Sequence, residues 1–254
     1  MANSRSGDSV IDRLVRVLAT FDAEHTAQSP TQIARRAHLP VSTGHRLVGD
    51  LADSGLLERD EDGRVRIGMR LWELATRGSL ALDLRQVALP AMEKVQSTIR
   101  QHTQLGVFDD DQALFLERLS HPDAGANITR VAGRLPLHAS SSGLVLLAAA
   151  PPDVLERVLA GPLPALAAET ITDPGMLRRK LAEVRRLGYA IAPGSIEAVS
   201  TGIAVPVRDN GTVVAALGVV LPYDEVDERH TVTVLRAAAA EIEGALTRSR
   251  SPFA

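Results

Sequence analysis

Ser29-Pro30-Thr31-Gln32-Ile33-Ala34-Arg35-Arg36-Ala37-His38-Leu39-Pro40-Val41-Ser42-Thr43-Gly44-His45-Arg46-Leu47 is the stretch from which the rest of the chain can be read. Ser29 is an N-cap residue, Pro30 suits the first helical position and Gln32 completes a capping box, so a helix starts here. It ends near Ala37, because Pro40 disfavours helical geometry at Leu39 and makes His38-Leu39-Pro40 a tight turn. A second helix is expected from Val41 to Ser54, closed by Gly55. At about 100° per residue, Gly44, Leu47, Val48 and Leu51 share one side, and Ser42, Thr43, His45, Arg46 and Gly49 the other. Polar first turns without an acid suit a helix that enters a DNA groove, since a carboxylate there would repel phosphates.

Upstream, Asp8 to Phe21 carries Val10, Leu14, Val17, Leu18 and Phe21 at helical spacing. Downstream, Leu56 to Arg59 and Arg64 to Ile67 form a hairpin around Asp62-Gly63, with Val65 and Ile67 alternating with Arg64 and Arg66. Helix, short helix, turn, helix and ribbon is the order of a winged helix-turn-helix. Gly68 to Gly78 is a connecting helix with Leu71, Trp72, Leu74 and Ala75 apolar, suited to meeting a partner subunit. A longer helix is expected from Asp83 to about Gln101, then strands at Thr103–Phe108, Ala113–Leu119 and Ile128–Val131. Helices follow at Ser140–Ala149, Pro152–Leu159 and Asp173–Leu187. Two apolar strands, Gly202–Arg208 and Thr212–Val220, flank Asp209-Asn210-Gly211, and a last helix runs from Val226 to Thr247. Helices mixed with hairpin strands indicate an α+β domain with a mainly antiparallel sheet.

Composition narrows the function. The 254 residues are 45% apolar and carry no cysteine, which excludes disulfides, thiolate metal sites and thiol nucleophiles. No apolar run reaches the roughly 18–20 residues of a membrane span, and the N-terminus lacks a signal-peptide core, so a cytoplasmic protein is expected. The net charge of −3 argues against indiscriminate nucleic-acid binding. Its distribution does not: from Ala27 to Gly49 there is no acid, while Arg35, Arg36 and Arg46 are cationic and His38 and His45 add donors. The seven histidines form no H-E-x-x-H pair, and neither a P-loop nor G-x-G-x-x-G occurs, so neither metal nor cofactor is expected. Ala139-Ser140-Ser141-Ser142-Gly143 is not a G-x-S-x-G elbow, and His138 suits a packing or loop role better than that of a general base. An enzyme is therefore disfavoured. About 170 residues beyond the wing are too many for a purely architectural DNA-binding protein.

From about Asp8 to Leu246 the chain resembles the IclR family of transcription regulators. Ile33 to Leu47, Leu56-Leu57-Glu58-Arg59 and Arg66-Ile67-Gly68-Met69-Arg70-Leu71 carry the likeness in the first half. Gly133-Arg134-Leu135-Pro136-Leu137-His138-Ala139-Ser140, Gly188-Tyr189-Ala190 and Ile203-Ala204-Val205-Pro206-Val207 carry it in the second. The resemblance implies a winged helix-turn-helix over residues 8–68, a linker helix over 69–82 and a GAF-like effector domain over 83–248. It also implies a homodimer or homotetramer on double-stranded operator DNA, more often repressing than activating, and controlled by a small-molecule effector. It places Ser42, Thr43, His45 and Arg46 on the recognition helix, Arg35 and Arg36 on the helix before it, and Arg64 on the wing. Either Ser42 and Thr43 hold phosphate oxygens or they merely start the helix.

The family's effector pocket maps to Ser140, Ser141, Ser142, Ala192, Glu197, Gly202, Gly218 and Val220. Five positions depart from the family pattern: Gly202 replaces a frequent cysteine, Ala192 an acid, Gly218 and Val220 the serines of small-acid sensors, and Leu144 a lysine. These replacements imply a roomier, less polar pocket and an aromatic or largely apolar effector, with Ser141 and Ser142 as hydrogen-bond partners. The alternatives are a small organic acid as effector, and Ser140–Ser142 serving only to cap the following helix.

Overall fold

In the computed structural model, residues 9–22, 24–122, 124 and 127–249 are described. The chain divides into two compact units, one ending at Ser79 and one starting at Leu80.

The first unit contains α1 (Val10–Leu18), α2 (Pro30–Arg36), α3 (Val41–Asp53), β1 (Leu57–Arg59), β2 (Val65–Ile67) and α4 (Met69–Thr76). Capping boxes start α1 at Ser9/Asp12 and α2 at Ser29/Gln32, as the latter's spacing predicts. The turn between α2 and α3 depends on His38, whose φ of 54° lies in the left-handed region. The residues expected to face inward from α3 (Gly44, Leu47, Val48 and Leu51) are its buried ones. They meet Val17, Ile33, Ala37, Leu57 and Val65 in one core. α2 and α3 approach so closely that a methyl built on Gly44 would lie 2.3 Å from Ala34 Cβ. β1 and β2 pair antiparallel, with Leu57 opposite Ile67 and Arg59 opposite Val65. Gln28 extends this ribbon by exchanging backbone hydrogen bonds with Val65 (2.9 and 2.7 Å), and its Nε2 donates to the Thr20 carbonyl at 2.9 Å. The carboxylate of Glu58 accepts from the Met69 N–H at 2.8 Å, which ties the start of α4 to β1.

The second unit contains α5 (Leu80–Ile99), β3 (His102–Asp109), β4 (Gln112–Leu119), β5 (Arg134–Pro136), α6 (Ser141–Ala149), α7 (Pro152–Ala160) and α8 (Pro174–Leu187). It continues through β6 (Ala190–Pro193), β7 (Ser200–Asp209), β8 (Thr212–Pro222) and α9 (Glu228–Ser249). Its sheet is antiparallel throughout, in the order β5-β4-β3-β8-β7-β6. The period-two alternation of strands gives the two faces different chemistry. Ile203, Val205, Val207, Leu217 and Val219 pack on α5 and α9, whereas Ala204 and Ala216 pack with α6, α7 and α8. Small residues on the second face let α6, buried from Ser141 to Ala148, settle close to the backbone of the sheet. A methyl on Gly202 would lie 2.7 Å from Ser141 Oγ, and one on Gly218 would lie 3.3 Å from Ser142 Oγ.

One sequence expectation fails here. Ile128–Val131 is not a strand; Arg134–Pro136 takes the edge position against Gln112–Leu114 instead. Arg118 competes for the carbonyls of the displaced segment, donating from Nη1 to those of Asn127 (3.3 Å) and Thr129. Ala132, at a φ of 61°, then turns the chain back. The short strand Ala190–Pro193 had no periodic signature and is held by pairing with Thr201–Ala204. Among the described residues no helix is long and apolar enough to cross a membrane.

Candidate DNA-binding surface and effector cavity

α3 starts at Val41 behind Pro40, with no side chain capping it. The backbone N–H groups of its first turn therefore have no intrahelical acceptor and favour an anion such as a phosphate. Ser42 is exposed and Thr43 half-buried. His45 is exposed, and its Nε2 lies 3.0 Å from Thr31 Oγ1 on α2, which orients the ring. Arg46 is also exposed, but its Nη1 donates to Asp50 Oδ2 one turn on, at 2.9 Å. That pair is 59% and 56% exposed, and such pairs stabilise by only about 0–1 kcal/mol. A phosphate or a guanine edge offers Arg46 two parallel hydrogen bonds in place of this single one and competes readily.

The stretch that is acid-free in sequence is thus not acid-free in space. Arg36 Nη2 donates to Asp22 Oδ2 at 2.8 Å, and Asp22 Oδ1 lies 2.8 Å from His25 Nδ1. The hydrogen bond with His25, helped by the Glu24 N–H and by Arg36, holds the Asp22 carboxyl down at about 2 against an ordinary 3.8. Arg36 is thus paired within its own unit, to a carboxylate that His25 and the Glu24 N–H also hold in place. Arg35 on α2 and Arg64 beside the wing are exposed, and neither guanidinium has a carboxylate partner among the described residues.

In the second unit, the start of α6 collects residues that are far apart in sequence. Ser140 caps the helix, its Oγ accepting from the Gly143 N–H at 3.0 Å. Ser141 and Ser142 do not cap; buried, they line a cavity together with Ala192, Glu197, Gly202 and Val220. Seven of the eight expected effector residues thus share one cavity, and Gly218 lies just behind it, against Ser142. The glycines do not widen this space as expected, because α6 fills the room they leave. The cavity is tight, about 30 Å³, room for little more than a water, so a ring-sized ligand enters only if the lining moves apart.

Part of the lining was not legible in the sequence. Gln104 on β3, and Asn127 and Thr129 in the connection between β4 and β5, add three polar side chains. Leu135 and Ile196 add apolar surface. The face parity that Gln104 shares with Gly106 was the available signal, but only once β3 was known to lie beside β8. His138 is buried, with Nε2 3.1 Å from the Pro164 carbonyl, and holds a loop.

Two family sequence models match the chain: an IclR helix-turn-helix domain over residues 10–61 and a bacterial transcriptional regulator IclR C-terminal domain over residues 79–243. The HTH-type transcriptional regulator XynR of Escherichia coli is 28% identical over 221 residues, 86% of this chain and 88% of that protein. The HTH-type transcriptional regulator Rv1719 of Mycobacterium tuberculosis is 30% identical over 190 residues, 74% of this chain and 73% of its own. Among solved structures, an IclR homolog from Microbacterium hydrocarbonoxydans complexed with 4-hydroxybenzoate is 57% identical. It superposes with a TM-score of 0.90, over 94% of this chain and 100% of that one.

Proposed function

The chain belongs to the IclR family of DNA-binding bacterial transcriptional regulators with a C-terminal effector-binding domain, and from that premise we propose that it is a repressor controlled by a single-ring aromatic acid. The observation that carries the proposal is the cavity at the start of α6, which brings together Ser141, Ser142, Ala192, Glu197, Gly202 and Val220. The similar Microbacterium protein was crystallised with 4-hydroxybenzoate, a single-ring aromatic acid. Leu135, Ile196 and Val220 supply apolar wall for the ring, and the donors at α6 suit its carboxylate.

On the DNA side, Arg46 and His45 enter the major groove, the uncapped N–H groups of α3 and Ser42 and Thr43 hold a phosphate, and Arg35 and Arg64 add flanking contacts. The active species is a cytoplasmic homodimer or homotetramer. Exposed Val10, Ile11 and Val15 on α1 and Met69, Trp72 and Leu74 on α4 form the apolar surface for subunit contact. Effector binding shifts a two-state equilibrium between assemblies of different operator affinity, so the ligand regulates only through its preference for one of them.

The test is a titration of the purified protein on its own promoter DNA, followed by anisotropy, with 4-hydroxybenzoate and with glyoxylate. The aromatic acid should release the DNA and raise the melting temperature, equivalent to about 2.7 kcal/mol at a hundred times its dissociation constant. Tight binding of glyoxylate with no response to the aromatic acid would assign the cavity to small acids and overturn the proposal.

A further inference from the structure

We infer that Gln104 and Asn127, neither of them among the positions that the family resemblance picks out, complete an anion site at the start of α6 and make the cavity select a carboxylate over a neutral group. This deepens the effector proposal above and rests on it. Gln104 is 4% exposed, and its buried Nε2 has no hydrogen-bond partner. Asn127 is oriented by its own backbone: its Oδ1 accepts the Thr129 N–H at 2.9 Å, which leaves Nδ2, also buried, as the unsatisfied group. Both residues line the cavity that holds Ser141 and Ser142.

Asn127 is not free to turn away. Arg118 donates from Nη1 to the carbonyls of Asn127 and Thr129 and from Nε to Ser120 Oγ at 2.9 Å, so it acts as a positioning residue for the segment. On the other side, Ser140 takes the N–H groups of Gly143 and Leu144. Those of Ser141 and Ser142 precede the first intrahelical bond and have no acceptor within the helix. Two side-chain amides with unpartnered NH₂ groups thus line one small space, beside a helix start whose first N–H groups lack an intrahelical acceptor. Buried donors without acceptors are destabilising, and the group that satisfies several at once is one that only accepts and carries several lone pairs. A carboxylate fits, and its charge strengthens each bond. A carboxamide fits worse, because its NH₂ would face donors. Glu197, half-exposed, is the carboxylate on the lining, and an anionic ligand keeps its own carboxylate away from it.

The experiment is calorimetry on the full-length protein with 4-hydroxybenzoate and its neutral analogue 4-hydroxybenzamide, for the wild type, Asn127→Asp and Gln104→Glu. Asn127→Asp keeps the Oδ1 acceptor for Thr129 and exchanges only the ligand-facing donor for an anionic oxygen. The wild type should prefer the acid by about tenfold or more, and each variant should lose about tenfold or more for the acid while affinity for the amide changes less than threefold. Thermal unfolding without ligand monitors folding, and because the two residues lie on separate elements, either variant alone can carry the test. Acid affinity within threefold of wild type in both variants, or equal wild-type affinity for acid and amide, overturns the inference alone. A wild type that binds no aromatic acid overturns the effector proposal and the inference with it.

Discussion

Gly44→Ala on the recognition helix is the sharpest test of how the DNA-binding unit is built. The new methyl would lie 2.3 Å from Ala34 Cβ and 2.9 Å from Ala34 Cα. Carbon atoms at rest against one another sit about 3.5–4.0 Å apart, so α2 and α3 would have to part by more than an ångström. Ala34 is fully buried and has no side-chain rotamer with which to move aside. Overpacking of this kind costs about 1–3 kcal/mol, and a backbone-proximal clash belongs at the top of that range. Better helix propensity of alanine returns about 1 kcal/mol, leaving a net destabilisation of about 2 kcal/mol. For a domain of this size that lowers the melting temperature by about 8–16 °C. Gly49→Ala is the internal control, since nothing lies within 4 Å of its added methyl; it should stabilise by about 0.5–1 kcal/mol. Calorimetry with amide hydrogen exchange across α2 and α3 separates the two variants. Ala34→Gly added to Gly44→Ala should recover part of the loss, because it removes the methyl–methyl clash and leaves the backbone of residue 34 still too near. Equal shifts for Gly44→Ala and Gly49→Ala, or no recovery in the double variant, would refute the packing argument.

Gly143→Ala places a methyl 2.5 Å from the Leu137 carbonyl oxygen, so it should displace the start of α6 and abolish the thermal shift given by 4-hydroxybenzoate, beyond destabilising by about 1–3 kcal/mol. Arg46→Ala should weaken operator binding by about 1–3 kcal/mol in a salt-controlled gel shift, and Arg35→Ala and Arg64→Ala should each reduce the salt slope by about one. Arg36→Ala should leave affinity nearly unchanged, because its guanidinium is held by Asp22; a larger loss than for Arg46→Ala would show that the wrong arginine faces the DNA. Asp22 titrates lower when folded than its ordinary 3.8, at about 2, so its contribution to stability is complete above about pH 4 and disappears as the pH falls through 2. Asp22→Asn should flatten acid unfolding in that window, and an unaltered profile in a pH series of denaturant melts would remove Asp22 from the network.

The legible parts were those governed by neighbours along the chain. Ser29, Pro30 and Gln32 mark a helix start because a cap is satisfied within three residues, and Asp209-Asn210-Gly211 marks a hairpin because its turn demands positive φ. The inward face of α3 followed from its 3.6-residue period. Ile128–Val131 misled because its composition suits a strand, while a side chain ten residues back, Arg118, claims the carbonyls on which a ladder would depend.

What the sequence determined by itself was most of the elements, their order and the motif likeness, since each rests on local backbone preference and periodicity. Tertiary structure alone decided which charges stay available and what lines the cavity. Arg36 is neutralised by an aspartate 14 residues away, and Gln104 and Asn127 are brought together only by a register that sets β3 beside both β4 and β8. The physical reason is that an electrostatic or hydrogen-bonding partner is chosen by distance in space, which the chain writes only once its sheet has paired.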